Sequence, residues 1–135
     1  MIKIEYSNTG GVQMDIIAVL KALAHENRIR ILNLLAESEL CVCELENILQ
    51  ITQSNASRHL SKLKQVDLIK SRKKAQWIYY SLNQKMFTEH KFLQHLIEEE
   101  LKEFKEAEED RLRLEKYNSS SLSCENLPDS DIFKE

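Results

Sequence analysis

Between Glu44 and Leu82 the chain follows an order that few folds accommodate. A short apolar-periodic stretch is followed by a two-residue link and a longer stretch with one polar face, then by two runs of β-formers around a basic tip. Glu44 to Leu49 predicts a short helix, and Ile51-Thr52 is a tight link. Thr52 has the side-chain oxygen needed to cap a further helix from Gln53 to Val66. On that helix Ala56, Leu60 and Leu63 fall on an inward face, leaving Ser54, Asn55, Ser57, Arg58, Lys62 and Gln65 outside. A short helix, a brief turn and a longer polar-faced helix make a helix-turn-helix. Leu68 to Arg72 and Gln76 to Leu82 then predict a hairpin, or wing. The expected fold class is mainly α with a small β-hairpin wing, a winged helix-turn-helix.

Upstream, Met14, Ile17, Ala18, Leu20 and Leu23 recur at helical spacing, and Glu26 to Ala36 predicts a second helix with Ile29, Leu32 and Leu35 on one stripe. Downstream, residues 87–117 read as one long helix whose apolar side carries Phe87, Leu93, Leu96, Ile97, Leu101 and Phe104. Residues 1–12, which hold the only two glycines, are expected to form a flexible lead. Residues 118–135, with a serine run and Pro128, are expected to be a disordered tail. That leaves 13–117 as one domain with a modest core.

The net charge of -3 hides a segregation. Arg58, Lys62, Lys64, Lys70, Arg72, Lys73 and Lys74 face only Asp67 in their stretch. From Glu98 to Asp110 eight acidic residues stand against Lys102 and Lys105 alone. One region suits phosphate and another repels it. No apolar run is long enough to span a bilayer and the first residues do not read as a signal peptide, so a cytoplasmic address without membrane contact is expected. The chain has no phosphate-cradling glycine loop and no Cys-x-x-Cys after a strand, which argues against an enzyme such as a small thiol oxidoreductase.

Cys41 and Cys43 flank a single residue, and Cys124 lies alone near the end. Three cysteines of this spacing do not form a disulfide framework. Thiolates suit soft ions such as As(III), Sb(III), Cd(II), Pb(II) or Zn(II). Residues two apart share a side of a strand but not of a helix, so Cys41 and Cys43 can hold one ion only if their segment is extended or the helix start is distorted. Backbone N–H groups at that helix start are expected to lower the thiol pKa. Cys124 is either a third ligand or a stray tail thiol. Two small buried residues at 41 and 43 are the bland alternative. A redox-sensing disulfide between the two is disfavoured by strain.

These words, in this order, resemble the ArsR/SmtB family of winged-helix metalloregulatory repressors, the arsenical-resistance type above all. The resemblance runs from Asp15 to Leu82 and rests on Leu23-Ala24-His25-Glu26-Asn27-Arg28-Ile29-Arg30-Ile31-Leu32, Glu39-Leu40-Cys41-Val42-Cys43-Glu44-Leu45, Gln53-Ser54-Asn55-Ala56-Ser57-Arg58-His59-Leu60 and Trp77-Ile78-Tyr79-Tyr80-Ser81-Leu82. Three positions depart from the pattern. Glu46 stands where a third cysteine is frequent, Lys73-Lys74-Ala75 replaces a glycine-bearing wing tip, and Glu26 replaces a proline. Without glycine the tip is expected to be long or loose. The zinc-sensing variant of the family uses residues on the last helix. Here His95 and Glu98 match its end, but Gln84 and Leu82 occupy the partner positions, so that site is not expected.

The resemblance implies a dimeric repressor of a metalloid-resistance operon. It would leave its operator when As(III) or Sb(III) binds Cys41 and Cys43, with Cys124 as a candidate further ligand. Cd(II) or Pb(II) on the same thiols is the alternative, with no constitutive cofactor in either case. Gln53, Ser54, Asn55, Ser57 and Arg58 are placed to meet base edges of double-stranded DNA. Lys62, Lys64, Arg72, Lys73 and Lys74 are placed to meet phosphates. His59 is counted with them, either touching phosphate or packing inward. One reader makes a small interface, so a homodimer on a two-fold operator is expected. The family's use of first and last helices implies Met14, Ile17, Leu20, Phe87, Leu93, Leu96 and Leu101 at the dimer interface.

Overall fold

A computed structural model describes residues 14–128 and 130–133; the expected lead over 1–12 lies outside them. Helix α1 spans Ile16–Leu23, α2 Glu26–Glu37, α3 Val42–Leu49 and α4 Gln53–Gln65. Each start has a local cause. Asp15 accepts the Ala18 N–H, His25 Nδ1 accepts the Asn27 N–H at 3.1 Å, and Thr52 Oγ1 accepts the Asn55 N–H at 3.1 Å, the cap read from the sequence. Strands β2 (Ile69–Lys74) and β3 (Trp77–Leu82) pair antiparallel from Ile69↔Leu82 to Lys74↔Trp77. An unforeseen strand, β1 (Leu40–Cys41), adds to the other edge of β3, with Leu40 opposite Tyr80 and Cys41 opposite Tyr79.

The wing tip is a tight two-residue turn rather than a loose one. Lys74 pairs directly with Trp77, and Ala75 takes φ 55, the left-handed region normally left to glycine. The expected long helix over 87–117 is also broken. It becomes α5 (Gln84–Glu89), α6 (Lys91–Glu98), a 3₁₀ turn (Glu100–Glu103) and α7 (Lys105–Asn118), with His90 and Phe104 extended between them. A straight helix of that length would run roughly 45 Å, beyond the width of so small a domain. The breaks let Leu93, Leu101, Ala107, Leu114 and Tyr117 all turn inward.

The core gathers Ile31, Leu32, Leu34 and Leu35 of α2, Leu45 and Ile48 of α3, Leu60 and Leu63 of α4, and Leu40, Leu68, Ile69 and Leu82 of the sheet. Fully burying one such side chain stabilises by about 1.5–3 kcal/mol. The helix-turn-helix is thus fixed from behind while its outer face stays in solvent. Residues 119–128 and 130–133, expected to be disordered, fold back onto α3 and α7. Leu127 is buried, and Leu122, Ile132 and Phe133 pack against the core, an apolar spacing hidden among serines.

Candidate DNA-reading face and thiol site

The outer face of α4 exposes Gln53, Ser54, Ser57, Arg58 and Lys62 side by side. Asn55 is half-buried and accepts a hydrogen bond from Arg58 Nη2 at 3.0 Å, which aligns two polar groups near the helix start. Lys73 and Lys74 are exposed on the wing. Arg72 does not. Its guanidinium donates to both carboxylate oxygens of Glu39 at 2.7 and 2.6 Å and lies 5.6 Å from the Tyr79 ring centroid. That ion pair ties the wing to the residue just before β1. Lys64, further along α4, donates to Ser71 Oγ at 2.8 Å and joins the helix to the wing.

His59 is corrected from the reading face to the interior. It is 2% exposed, its ring centroid lies 4.3 Å from that of His25, and Arg28 Nη1 donates to its Nδ1 at 3.3 Å. Arginine can only donate, so Nδ1 is the acceptor of a neutral ring. Burial, then the positive neighbours His25, Arg28 and Arg58, lower its pKa to about 4.

The thiols converge at the other end of the helix-turn-helix. Cys41 ends β1 with extended backbone and is the N-cap of α3, whereas Cys43 already lies in that helix's first turn. Of the two, only Cys41 is extended. The folded tail brings Cys124 to both: its Sγ is 2.8 Å from Cys41 Sγ, and its carbonyl oxygen is 3.3 Å from Cys43 Sγ. Glu44 bridges the site to α7, accepting the Cys41 N–H at 2.9 Å on Oε1 and the Tyr117 hydroxyl at 2.6 Å on Oε2. All three thiols are raised above the ordinary range, with burial as the leading cause, so desolvation overrides the expected help of the helix start.

The donor set is soft and suits a thiophilic ion. A common ion at about 2.3 Å from each sulfur, the zinc–thiolate distance, needs its sulfurs further apart than Cys41 and Cys124 now stand. Consistently, no group of three or more His, Cys, Asp or Glu side chains among the described residues is already spread as a metal cage. The zinc-type position on the later helices is spent differently, with His95 Nε2 against Glu100 Oε1 at 2.9 Å.

Comparison with known proteins gives the same order of elements. Residues 25–71 match the family model described as "Bacterial regulatory protein, arsR family". The solved structure of HlyU from Vibrio cholerae superposes with a TM-score of 0.55 at 34% identity, over 64% of this chain and 88% of that one. The chain belongs to the arsR family. Among curated relatives, the arsenic resistance transcriptional regulator ArsR1 of Pseudomonas putida is 42% identical over 78 residues, 55% of this chain and 61% of that protein. A cadmium resistance transcriptional regulatory protein CadC homolog of Staphylococcus aureus is 42% identical over 71 residues, 52% of this chain and 59% of that one. The chain thus spans about 60% of the length of the curated relatives it matches.

In this arsR-family chain the seven positions expected at a dimer interface divide by burial. Ile17 is 58% exposed and Leu20 47%, with Met14 and Leu96 half-buried. Phe87, Leu93 and Leu101 are buried inside the protomer, because the broken later helices fold onto α2, and they offer no outer surface. Ile16, 42% exposed, joins Ile17 and Leu20 on α1 and was missed, although its spacing to Leu20 and Leu23 was readable. Also missed were Glu44 and Tyr117. A lone glutamate and a tyrosine beyond a charge run carry no signal until the fold joins them.

Proposed function

We propose that this arsR-family chain is a cytoplasmic, homodimeric transcriptional repressor of a metalloid-resistance operon. It holds double-stranded operator DNA through α4 and the wing and releases it when As(III) or Sb(III) is captured by Cys41, Cys43 and Cys124. The observation that carries the reading is the position of Cys41. The residue is at once the end of a strand paired to the wing, the cap of the first helix of the reader and the contact of the tail sulfur. Spreading the sulfurs around an ion displaces the start of α3, and α4 follows it. A coupling free energy of about 1–3 kcal/mol suffices to lower DNA affinity by up to about two orders of magnitude. Gln53, Ser54, Asn55, Ser57 and Arg58 read base edges; Lys62, Lys73 and Lys74 neutralise phosphates. The exposed apolar face of α1 is the contact between copies.

Cd(II) or Pb(II) is the second reading. It is favoured by the same soft donors and by the cadmium-resistance name of one relative. Fluorescence anisotropy on the chain's own promoter DNA separates the two, titrated with As(III) and then Cd(II) under reducing conditions, beside Cys41→Ser, Cys43→Ser and Cys124→Ser. Arsenite releasing the wild type but not the serine variants supports the first. Release by cadmium alone supports the second, and absence of specific DNA binding refutes both.

A further inference from the structure

The last four carbonyls of an α-helix lack partners within it, and at α3 their partners are known one by one. Glu46 O accepts from the Ile51 N–H, and Asn47 O from Gln50 Nε2 at 2.5 Å, both inside the α3–α4 turn. The other two are served from elsewhere. Ile48 O accepts Arg113 Nε at 2.6 Å, and Leu49 O accepts Arg30 Nη2 at 2.9 Å. Both guanidiniums close on one carboxylate, Asp110 of α7, which is 0% exposed. Arg30 Nε reaches Oδ2 at 2.8 Å, Arg30 Nη2 reaches Oδ1 at 2.9 Å, and Arg113 Nη2 reaches Oδ1 at 2.7 Å. The turn that aims α4 leaves α3 through Gln50 at φ 59, directly beside these contacts.

Asp110, Arg113 and Tyr117 lie three and four residues apart, on one face of α7. Tyr117 grips the start of α3 through Glu44, and Arg113 grips its end. The tail that carries Cys124 is the direct continuation of α7. We propose that this face of α7 is a brace running the length of α3, with Asp110 and Arg113 as positioning residues that convey capture of a soft ion at the sulfurs to the α3–α4 turn. The inference rests on the sensor reading above. An ion that draws Cys124 and Cys41 apart moves the end of α7, and a rigid helix carries that movement to Arg113 and so to the Ile48 carbonyl. Buried, fully partnered ion pairs hold one arrangement or lose it, which suits a two-state element.

The test uses the full chain as wild type, Arg113→Lys, Asp110→Asn and Tyr117→Phe. Promoter affinity is measured with and without arsenite, arsenite uptake is followed by sulfur–arsenic ultraviolet absorption, and amide exchange is followed over residues 50–56. In the variants the arsenite-driven change in affinity should shrink roughly tenfold, an ordinary coupling in size, while arsenite uptake stays stoichiometric. The arsenite-driven rise in exchange at the turn should disappear. Variants that lose thermal stability or basal affinity yet keep the wild-type ratio would show a cluster that only holds the fold, and the proposal fails. Should Asp110→Asn not fold, Tyr117→Phe, which removes one hydroxyl, carries the same comparison. A wild type indifferent to arsenite and cadmium defeats the sensor reading instead. Ion-free exchange then decides the brace, and an unchanged turn in Arg113→Lys overturns it.

Discussion

Lowering the pH should loosen α4 through a side chain buried behind it. His59 sits under α2 with His25, Arg28 and Arg58 as its charged or chargeable neighbours and no carboxylate against it in the contacts described. Its folded-state pKa of about 4 lies below the ordinary 6.5. Above pH 6.5 the ring is neutral in both folded and unfolded chains and costs nothing. Below it the unfolded chain takes up the proton and the folded one does not, so stability falls steadily until pH 4. Each unit of this gap is worth about 1.4 kcal/mol, and integrating from pH 7.5 to pH 5 gives a loss of about 2 kcal/mol. Against the 5–15 kcal/mol typical of a domain, that is a large fraction.

The assay is urea denaturation of the wild type and of His59→Gln from pH 7.5 to pH 4.5. The glutamine carbonyl still accepts from Arg28 but does not titrate, so the difference between the two slopes isolates His59 from every other group. A variant whose stability falls as steeply as the wild type's would refute the argument. So would a His59 ring resonance titrating near 6.5.

Three further outcomes are expected. Ala75→Gly relieves a left-handed alanine in the wing turn and should raise stability by about 1 kcal/mol in chemical denaturation, since a residue with a Cβ pays that much there. Lys73→Ala should reduce the slope of log affinity against log salt by about one phosphate contact, whereas Arg72→Ala, already engaged by Glu39, should leave that slope unchanged and lower stability. Ile17→Glu, on the exposed stripe of α1, should shift sedimentation toward the monomer, while an unchanged sedimentation coefficient would move the dimer contact elsewhere.

What could be read without coordinates was whatever a short period encodes. Ala56, Leu60 and Leu63 mark the buried side of α4, Thr52 caps it, and the β-formers around Lys73-Lys74 pair as a hairpin, because each depends on neighbours within a few residues. The helix over 87–117 failed for the same reason. Local periodicity does not register that the domain is too small for a straight helix, nor that His90 and Phe104 must extend to turn Leu93 and Leu114 inward. His59 was ambiguous because a polar ring on a polar-faced helix gains its inward partners, His25 and Arg28, only from α2.

Asp110 shows the deeper limit and what it implies for the switch. Glu106 to Arg113 is dominated by charge, four acids followed by two arginines, as a solvated helix is, yet one of those acids is wholly buried between Arg30 and Arg113. Removing Asp110 strips both arginines of their shared counter-charge and costs about 3–5 kcal/mol, far more than any exposed pair in the same helix, whereas removing one arginine leaves the other on the carboxylate. The cluster holds α7 to the end of α3 while the tail holds Cys124 to its start, so the later helices and the tail are not appendages to the reader. A chain cut at Leu82, which keeps every residue of the family resemblance, would lose Arg113 from the Ile48 carbonyl and Tyr117 from Glu44. Its reader should therefore bind DNA more weakly than the full chain even with all DNA-facing side chains present, and an equal affinity would mean that α3 needs nothing from α7.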